Sequence, residues 1–124
     1  MILVVDDDED TRDLYVVAFE TAGFTVRAAA SVAEALGVLG EIEPDVLIAD
    51  YSLPDGTGST LMQSCAAARP RLCVLVTGFH ERDVVASGFD LVLTKPVAFE
   101  MLVEAVRGVA ANPARATDRT PARS

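Results

Sequence analysis

Four short apolar runs punctuate this chain, and each stops at a residue that can do chemistry. Ile2-Leu3-Val4-Val5 leads into Asp6-Asp7, Val46-Leu47-Ile48-Ala49 into Asp50, Cys73-Val74-Leu75-Val76 into Thr77, and Leu91-Val92-Leu93-Thr94 into Lys95, the only lysine. Runs of strand length without polar alternation suit strands covered on both faces. Phe24 to Ala29 reads as a further strand. Between the runs the period changes. Leu14, Val17, Ala18, Thr21 and Ala22 recur at helical spacing, with Asp8 or Asp10 placed to cap that helix and Gly23 to end it. Ser31-Val32-Ala33-Glu34 is a capping box. It opens a second helix whose buried face is expected to carry Val32, Ala35, Leu36 and Leu39. Leu61, Ser64, Cys65 and Ala68 predict a third helix, closed by Pro70, and Phe99, Leu102, Val103, Val106 and Ala110 predict a last one. The stretch Ser52-Leu53-Pro54-Asp55-Gly56-Thr57-Gly58 is dense in turn residues.

Strand and helix patterns therefore alternate along the whole chain. With right-handed crossovers, that alternation predicts an α/β fold: a doubly wound sheet of five parallel strands. Parallel strands bring their C-terminal ends to one rim, and open α/β sheets build ligand sites there. From Asn112 onward the chain is rich in Arg, Pro, Ala and Thr and has no apolar period. The expected organisation is one domain over residues 1–111 and a disordered tail over 112–124.

Composition narrows the function classes. The 124 residues suffice for one core, and 51% apolar with 23% charged residues fits a soluble globular protein. No apolar run approaches the roughly 20 residues of a membrane span. Met1 abuts the first strand, so no signal peptide is expected and the cytoplasm is the expected location. The formal net charge of −9 disfavours nucleic acid as a partner. Cys65 and Cys73 read as small buried thiols, with neither a disulfide framework nor a zinc site.

The rim would gather Asp6, Asp7, Asp50, Thr77 and Lys95. Two carboxylates ~4 Å apart repel by about 4 kcal/mol at an effective dielectric near 20. Such a cluster raises a pKa, holds a proton or binds a cation. Carboxylates with water suit Mg²⁺, and a backbone carbonyl just past Asp50 would complete its shell. A carboxylate is also a nucleophile toward phosphorus, forming an aspartyl phosphate. Such a transfer rests on positioning and charge neutralisation, for which Lys95 supplies a point charge and Thr77 a hydroxyl donor. Each residue taken singly is an ordinary cap or turn; their joint arrival at four strand ends is the signal.

On these motifs the chain resembles the receiver domain of two-component response regulators. The resemblance runs from Ile2 to about Ala111 through Leu3-Val4-Val5-Asp6-Asp7-Asp8, Pro44-Asp45-Val46-Leu47-Ile48-Ala49-Asp50, Leu53-Pro54-Asp55-Gly56-Thr57-Gly58, Val76-Thr77-Gly78 and Leu93-Thr94-Lys95-Pro96. It implies a flavodoxin-like strand order 2-1-3-4-5. It further implies that Asp50 accepts a phosphoryl group from a phosphohistidine on a sensor histidine kinase or histidine phosphotransfer protein. Asp7, Asp50 and the Ser52 carbonyl would ligate Mg²⁺, Asp6 would act through a metal-bound water, and Thr77 and Lys95 would bind phosphoryl oxygens. The Lys95–Pro96 bond is expected to be cis.

Two departures from the family pattern stand out. Val92 occupies the position where the family usually has an aromatic that swings inward with the threonine. The stretch from Thr77 to Lys95 is about one helical turn short, so a truncated fourth helix is expected around Glu81 to Ser87. The usual dimer through that face is accordingly not expected. Ser52 and Phe79 match positions near the path of the hydrolytic water, where Phe79 would slow phosphoryl loss. His80 reads as a surface residue. Partner choice is expected in surface residues of the first helix such as Arg12, Tyr15 and Val16. The expected function is a phosphoacceptor switch, not an enzyme in the usual sense, that signals through an unidentified downstream protein. Alternatives are a phosphorylation-independent binding scaffold and a Mg²⁺-dependent phosphohydrolase using an aspartyl phosphate. The separation of Asp6-Asp7 from Asp50 argues against the phosphohydrolase.

Overall fold

The computed structural model describes residues 1–65, 69–78 and 88–110. The expected short fourth helix, Ala68, Phe79, His80 and the tail 112–124 lie outside them. In chain order the elements are β1 (Ile2–Val5), α1 (Glu9–Thr21), β2 (Val26–Ala29), α2 (Val32–Leu39), β3 (Val46–Asp50), β4 (Ser52–Leu53), β5 (Gly56–Thr57), α3 (Gly58–Ser64), β6 (Leu72–Thr77), β7 (Leu91–Thr94) and α4 (Phe99–Ala110). Five strands form one parallel sheet in the order β2-β1-β3-β6-β7, which is the expected 2-1-3-4-5 once the short β4–β5 hairpin is set aside.

Alternation along each strand divides the core in two. Ile2, Val4, Val46, Ile48, Val74 and Val76 face one side, where Tyr15 and Phe19 of α1 and Leu102, Val106 and Val109 of α4 cover them. Leu3, Val5, Leu47, Ala49 and Cys73 face the other side, against Val32, Ala35 and Val38 of α2 and Leu61 and Cys65 at α3. Both cysteines are free and buried, as expected. Because both faces are covered, β1, β3 and β6 are apolar at every core position, which is why they read as unbroken runs. β7 is an edge strand, opposite β2, and its residues alternate between partly buried and exposed.

Local signals set the helix ends. Asp8, not Asp10, caps α1, its side chain accepting from the Thr11 amide. Gly23 follows the helix at φ 96°, a left-handed conformation that favours glycine. Ser31 Oγ accepts from the Glu34 amide at 3.1 Å, the first half of the capping box. The other half slips by one residue: Glu34 Oε1 reaches the Ala30 amide at 3.3 Å.

Several expectations fail at the level of faces. Leu14 and Val17 of α1 are 56% and 62% exposed, while Tyr15 is almost fully buried and cannot serve as a partner-reading surface residue. Tyr15 and Phe19, four apart, supply the inward stripe in place of Leu14 and Val17, and Tyr15 also meets Phe99 edge-on. On α2 the buried set is Val32, Ala35 and Val38, with Leu36 turned outward. The apolar residues of these helices outnumber the positions their faces can bury, so periodicity alone admitted two phases. The stretch read only as turn contains the β4–β5 hairpin, and α3 begins at Gly58, ahead of the expected Leu61.

Candidate functional site

All four chemistry-bearing strand ends meet at one rim of the sheet. Register places Val5 beside Ala49, so Asp6 and Asp50 share a level; Thr77 follows one step beyond Asp50, and Lys95 one step beyond Thr77. The carboxylates of Asp6, Asp7 and Asp50 each bring an oxygen within 4.8 Å of the others. Asp6 and Asp50 are buried and Asp7 is exposed, so the cluster opens to solvent on the Asp7 side.

Burial pushes the Asp6 and Asp50 carboxyls above the ordinary carboxylate range, and neighbouring negative charge adds to the rise: Asp50 feels Asp6, and Asp6 feels Asp7 and Asp8. Lys95 opposes this. Its ammonium donates to Asp50 Oδ2 at 2.8 Å and lies 3.9 Å from Asp6 Oδ2. Partial burial lowers the Lys95 pKa, but the hydrogen bond to Asp50 and the charges of Asp50, Asp6 and Asp7 outweigh it, so the net shift is upward and the side chain is a fixed cation. The pair does not cancel the cost of burying two carboxylates, which is why both acids stay raised.

The backbone frames this centre. The Asp8 amide donates to Asp6 Oδ1 at 2.9 Å, and Arg12 Nη1 donates to the Asp6 carbonyl at 2.9 Å, fastening the β1–α1 loop. The Ser52 amide bonds to the Asp50 carboxylate. Gly58 packs so tightly beneath the loop that a Cβ there would stand 2.6 Å from the Asp50 carbonyl oxygen. Thr77 is buried, and its hydroxyl donates to the Leu93 carbonyl at a long 3.5 Å. The Lys95 amide donates to the Thr77 carbonyl at 2.9 Å, and the Lys95–Pro96 bond is cis, as expected. Val92 is 49% exposed on the edge strand, and a side chain of this size has no ring to turn inward.

Asp6, Asp7, Asp50, Ser52, Thr77 and Lys95 thus lie at this rim, while Phe79 and His80 fall outside the described residues. From sequence Arg12 was expected only as a partner-reading surface residue, and Asp55 and Gly58 were given no role. Arg12 acts through a backbone carbonyl that no pattern encodes, while Asp55 and Gly58 lay within a quoted motif that read only as turn. A groove of about 500 Å³ adjoins the centre, lined by Thr11, Tyr15, Gly78, Lys95, Pro96 and Phe99 among others.

As a donor set, three clustered carboxylates are hard oxygen ligands of the kind that suits Mg²⁺. Two of them are buried and strained toward protonation, so a divalent cation would relieve the excess charge. The residues therefore fit such an ion. The described residues hold no helix long and apolar enough to cross a membrane.

Comparison with known proteins places the chain among relatives. The family model described as the response regulator receiver domain matches residues 2–107. A 14.6 kDa protein of Leptolyngbya boryana is 36% identical over 103 residues, covering 77% of this chain and 79% of that one. Response regulator protein PilR of Pseudomonas aeruginosa is 34% identical over 110 residues, covering 84% of this chain but only 24% of PilR, so the chain spans about a quarter of that relative. The crystal structure of a CheY-like receiver domain protein from Methanospirillum hungatei superposes with a TM-score of 0.77 at 28% identity, covering 86% of this chain and 90% of that one. A response regulator of Burkholderia pseudomallei, crystallised with a phosphorylated aspartic acid, a calcium ion and citrate, gives a TM-score of 0.75 at 25% identity over 90% of this chain and 68% of that one.

Proposed function

Because the chain belongs to the response regulator receiver domain family, whose members are signalling switches, we propose that it is the phosphoacceptor of a two-component phosphorelay, with Asp50 as the accepting residue. The donor is a phosphohistidine on a sensor histidine kinase or histidine phosphotransfer protein, the output is binding to a downstream protein, and the setting is the cytoplasm. One observation carries the reading: a buried carboxylate, Asp50, held 2.8 Å from the only lysine and within 4.8 Å of two further carboxylates. That the structure of the Burkholderia relative contains a phosphorylated aspartic acid and a calcium ion supports it.

In the proposed step an Asp50 carboxylate oxygen attacks phosphorus, the oxygen–phosphorus bond forms, and the phosphorus–nitrogen bond breaks with its electron pair passing to the imidazole. Burial keeps Asp50 poorly solvated, so little water must be stripped from the nucleophile. Asp6, Asp7, Asp50 and the Ser52 carbonyl would hold Mg²⁺, with Asp6 acting through a bound water. The chemistry that ion supplies when bound is neutralisation of charge on the phosphoryl oxygens. Lys95 already sits on Asp50 and needs only a small shift to follow the transferred group. Thr77 has little to give up, since its 3.5 Å bond to Leu93 is at the weak limit. Phosphorylation would draw both inward and shift the population toward an active arrangement.

The test is intact mass after incubation with acetyl phosphate, with and without Mg²⁺, on wild type and Asp50→Asn. A Mg²⁺-dependent gain of one phosphoryl group, absent from the variant, is expected. Phosphorylation of Asp50→Asn to the wild-type extent would reject the assignment, and no gain in either followed by no transfer from a phosphohistidine donor would favour a phosphorylation-independent binding domain.

A further inference from the structure

Asp55 makes contacts that a turn residue does not need. It stands between β4 and β5, and its carboxylate crosses to another element. Oδ1 accepts from the Val32 amide at 2.8 Å and Oδ2 from the Ala33 amide at 2.9 Å. These are the first two amides of α2, which the helix cannot satisfy itself. Ser31 already provides the local cap through the Glu34 amide. The helix therefore has a second cap, imported from more than twenty residues away in the chain. The Ala33 and Val32 amides hold the Asp55 carboxyl below the ordinary range, so it is an ionised acceptor at neutral pH. Apolar packing reinforces the link: Leu53 shares a core with Val32 and Ala35, and a Cβ on Gly56 would come 3.2 Å from Val32 Cγ2.

The other end of the same hairpin is the rim centre. The Ser52 amide bonds to the Asp50 carboxylate, Ser52 pairs with Thr57, and Gly58 closes against the Asp50 carbonyl. The two residues Ser52 and Asp55 are thus ends of one short, antiparallel-paired segment. One end touches the phosphoacceptor and the other is pinned to a helix anchored in the core.

We propose that Asp55 is a positioning residue for the rim site: by tying the β4–β5 hairpin to the N-terminus of α2, it holds Ser52 in place against Asp50 and so sets the affinity of the site for a divalent cation. The proposal rests on the reading of Asp6, Asp7 and Asp50 as that cation site. Its action is indirect, because Asp55 reaches α2 and not the carboxylates. Residues that orient metal ligands from outside the coordination shell typically change affinity 10–100-fold when removed.

The experiment is titration calorimetry of the full chain with Mg²⁺ for wild type, Asp55→Ala, Asp55→Asn and Ser31→Ala, with amide hydrogen exchange at Ser52 as a second readout. Asp55→Ala should bind Mg²⁺ about 10-fold more weakly and exchange faster at Ser52. Asp55→Asn keeps one acceptor oxygen and should lose less. Ser31→Ala removes a cap from the same helix and should bind as wild type, which separates positioning from helix stability. Wild-type affinity in Asp55→Ala, or an equal loss in Ser31→Ala, would overturn the proposal while leaving the site itself standing. Should Asp55→Ala fail to fold, wild-type affinity in Asp55→Asn together with unchanged Ser52 exchange would overturn it. A wild-type chain that takes no Mg²⁺ would overturn the site reading and this proposal together.

Discussion

Burial sets Asp50 and Asp6 apart from ordinary surface acids. Their folded-state pKa values are raised, chiefly by burial. The native state therefore holds these protons more tightly than the unfolded chain, and the stability they contribute is fully present below the ordinary carboxylate value of about 4 and is lost as pH rises through the raised values. Asp8 and Asp55 act in the opposite sense: their pKa values are lowered, so their contribution is lost as pH falls. Comparing wild type with Asp50→Asn isolates the first effect. Metal-free Asp50→Asn should be at least as stable as wild type at neutral pH, with the difference shrinking as pH falls toward 4; urea midpoints at several pH values check this. Gly58 makes the other sharp prediction at this scale. A Cβ would meet backbone at 2.6 Å, so Gly58→Ala should cost roughly 1–3 kcal/mol in urea unfolding and displace the segment after Asp50.

At the scale of elements, helix boundaries were more legible than helix faces. Asp8, Ser31 and Gly23 mark ends because their groups act on backbone one turn away, a relation held within the local sequence. Gly23→Ala should cost about 1–2 kcal/mol, since the position has φ 96°, and leave Mg²⁺ binding unchanged; denaturation and calorimetry on one sample test both halves. Faces were less legible. Apolar residues at 14, 15, 17 and 19 admit two stripes, and the sheet selected Tyr15 and Phe19. The β4–β5 hairpin escaped notice because two-residue strands carry no period, and its placement depends on Asp55 reaching another helix.

For the molecule as a whole, the clustered acids couple stability to the proposed ligand. An ion bound only by the native state stabilises by RT ln(1 + [L]/Kd), about 2.7 kcal/mol at a hundredfold excess over Kd. Mg²⁺ should therefore raise the thermal midpoint of wild type, and Asp7→Ala should lose most of that rise while its metal-free midpoint changes little, because Asp7 is exposed and no core packing depends on it. An equal Mg²⁺ response in Asp7→Ala would remove Asp7 from the ligand set. The surface groove beside Lys95 and the acidic rim together would form the face that the proposed donor approaches, and the formal net charge of −9 would make that approach sensitive to ionic strength.

The sequence by itself determined the class of fold, the order of the five sheet strands along the chain and the candidate residues at the rim, because strands buried on both faces read as unbroken apolar runs and parallel strands bring their C-terminal ends to one rim. It also contained the cis Lys95–Pro96 bond through resemblance to a family. Tertiary structure alone decided which face of each helix is buried, that Tyr15 lies inside, that Arg12 and Asp55 brace the loops, and that Gly58 leaves no room beneath Asp50. The helix faces and the Asp55 link join segments far apart in the chain, while Arg12 and Gly58 act on nearby backbone. The energies of all these contacts depend on distances of a few ångströms that local periodicity does not carry, and the long-range ones arise only when the sheet brings the segments together.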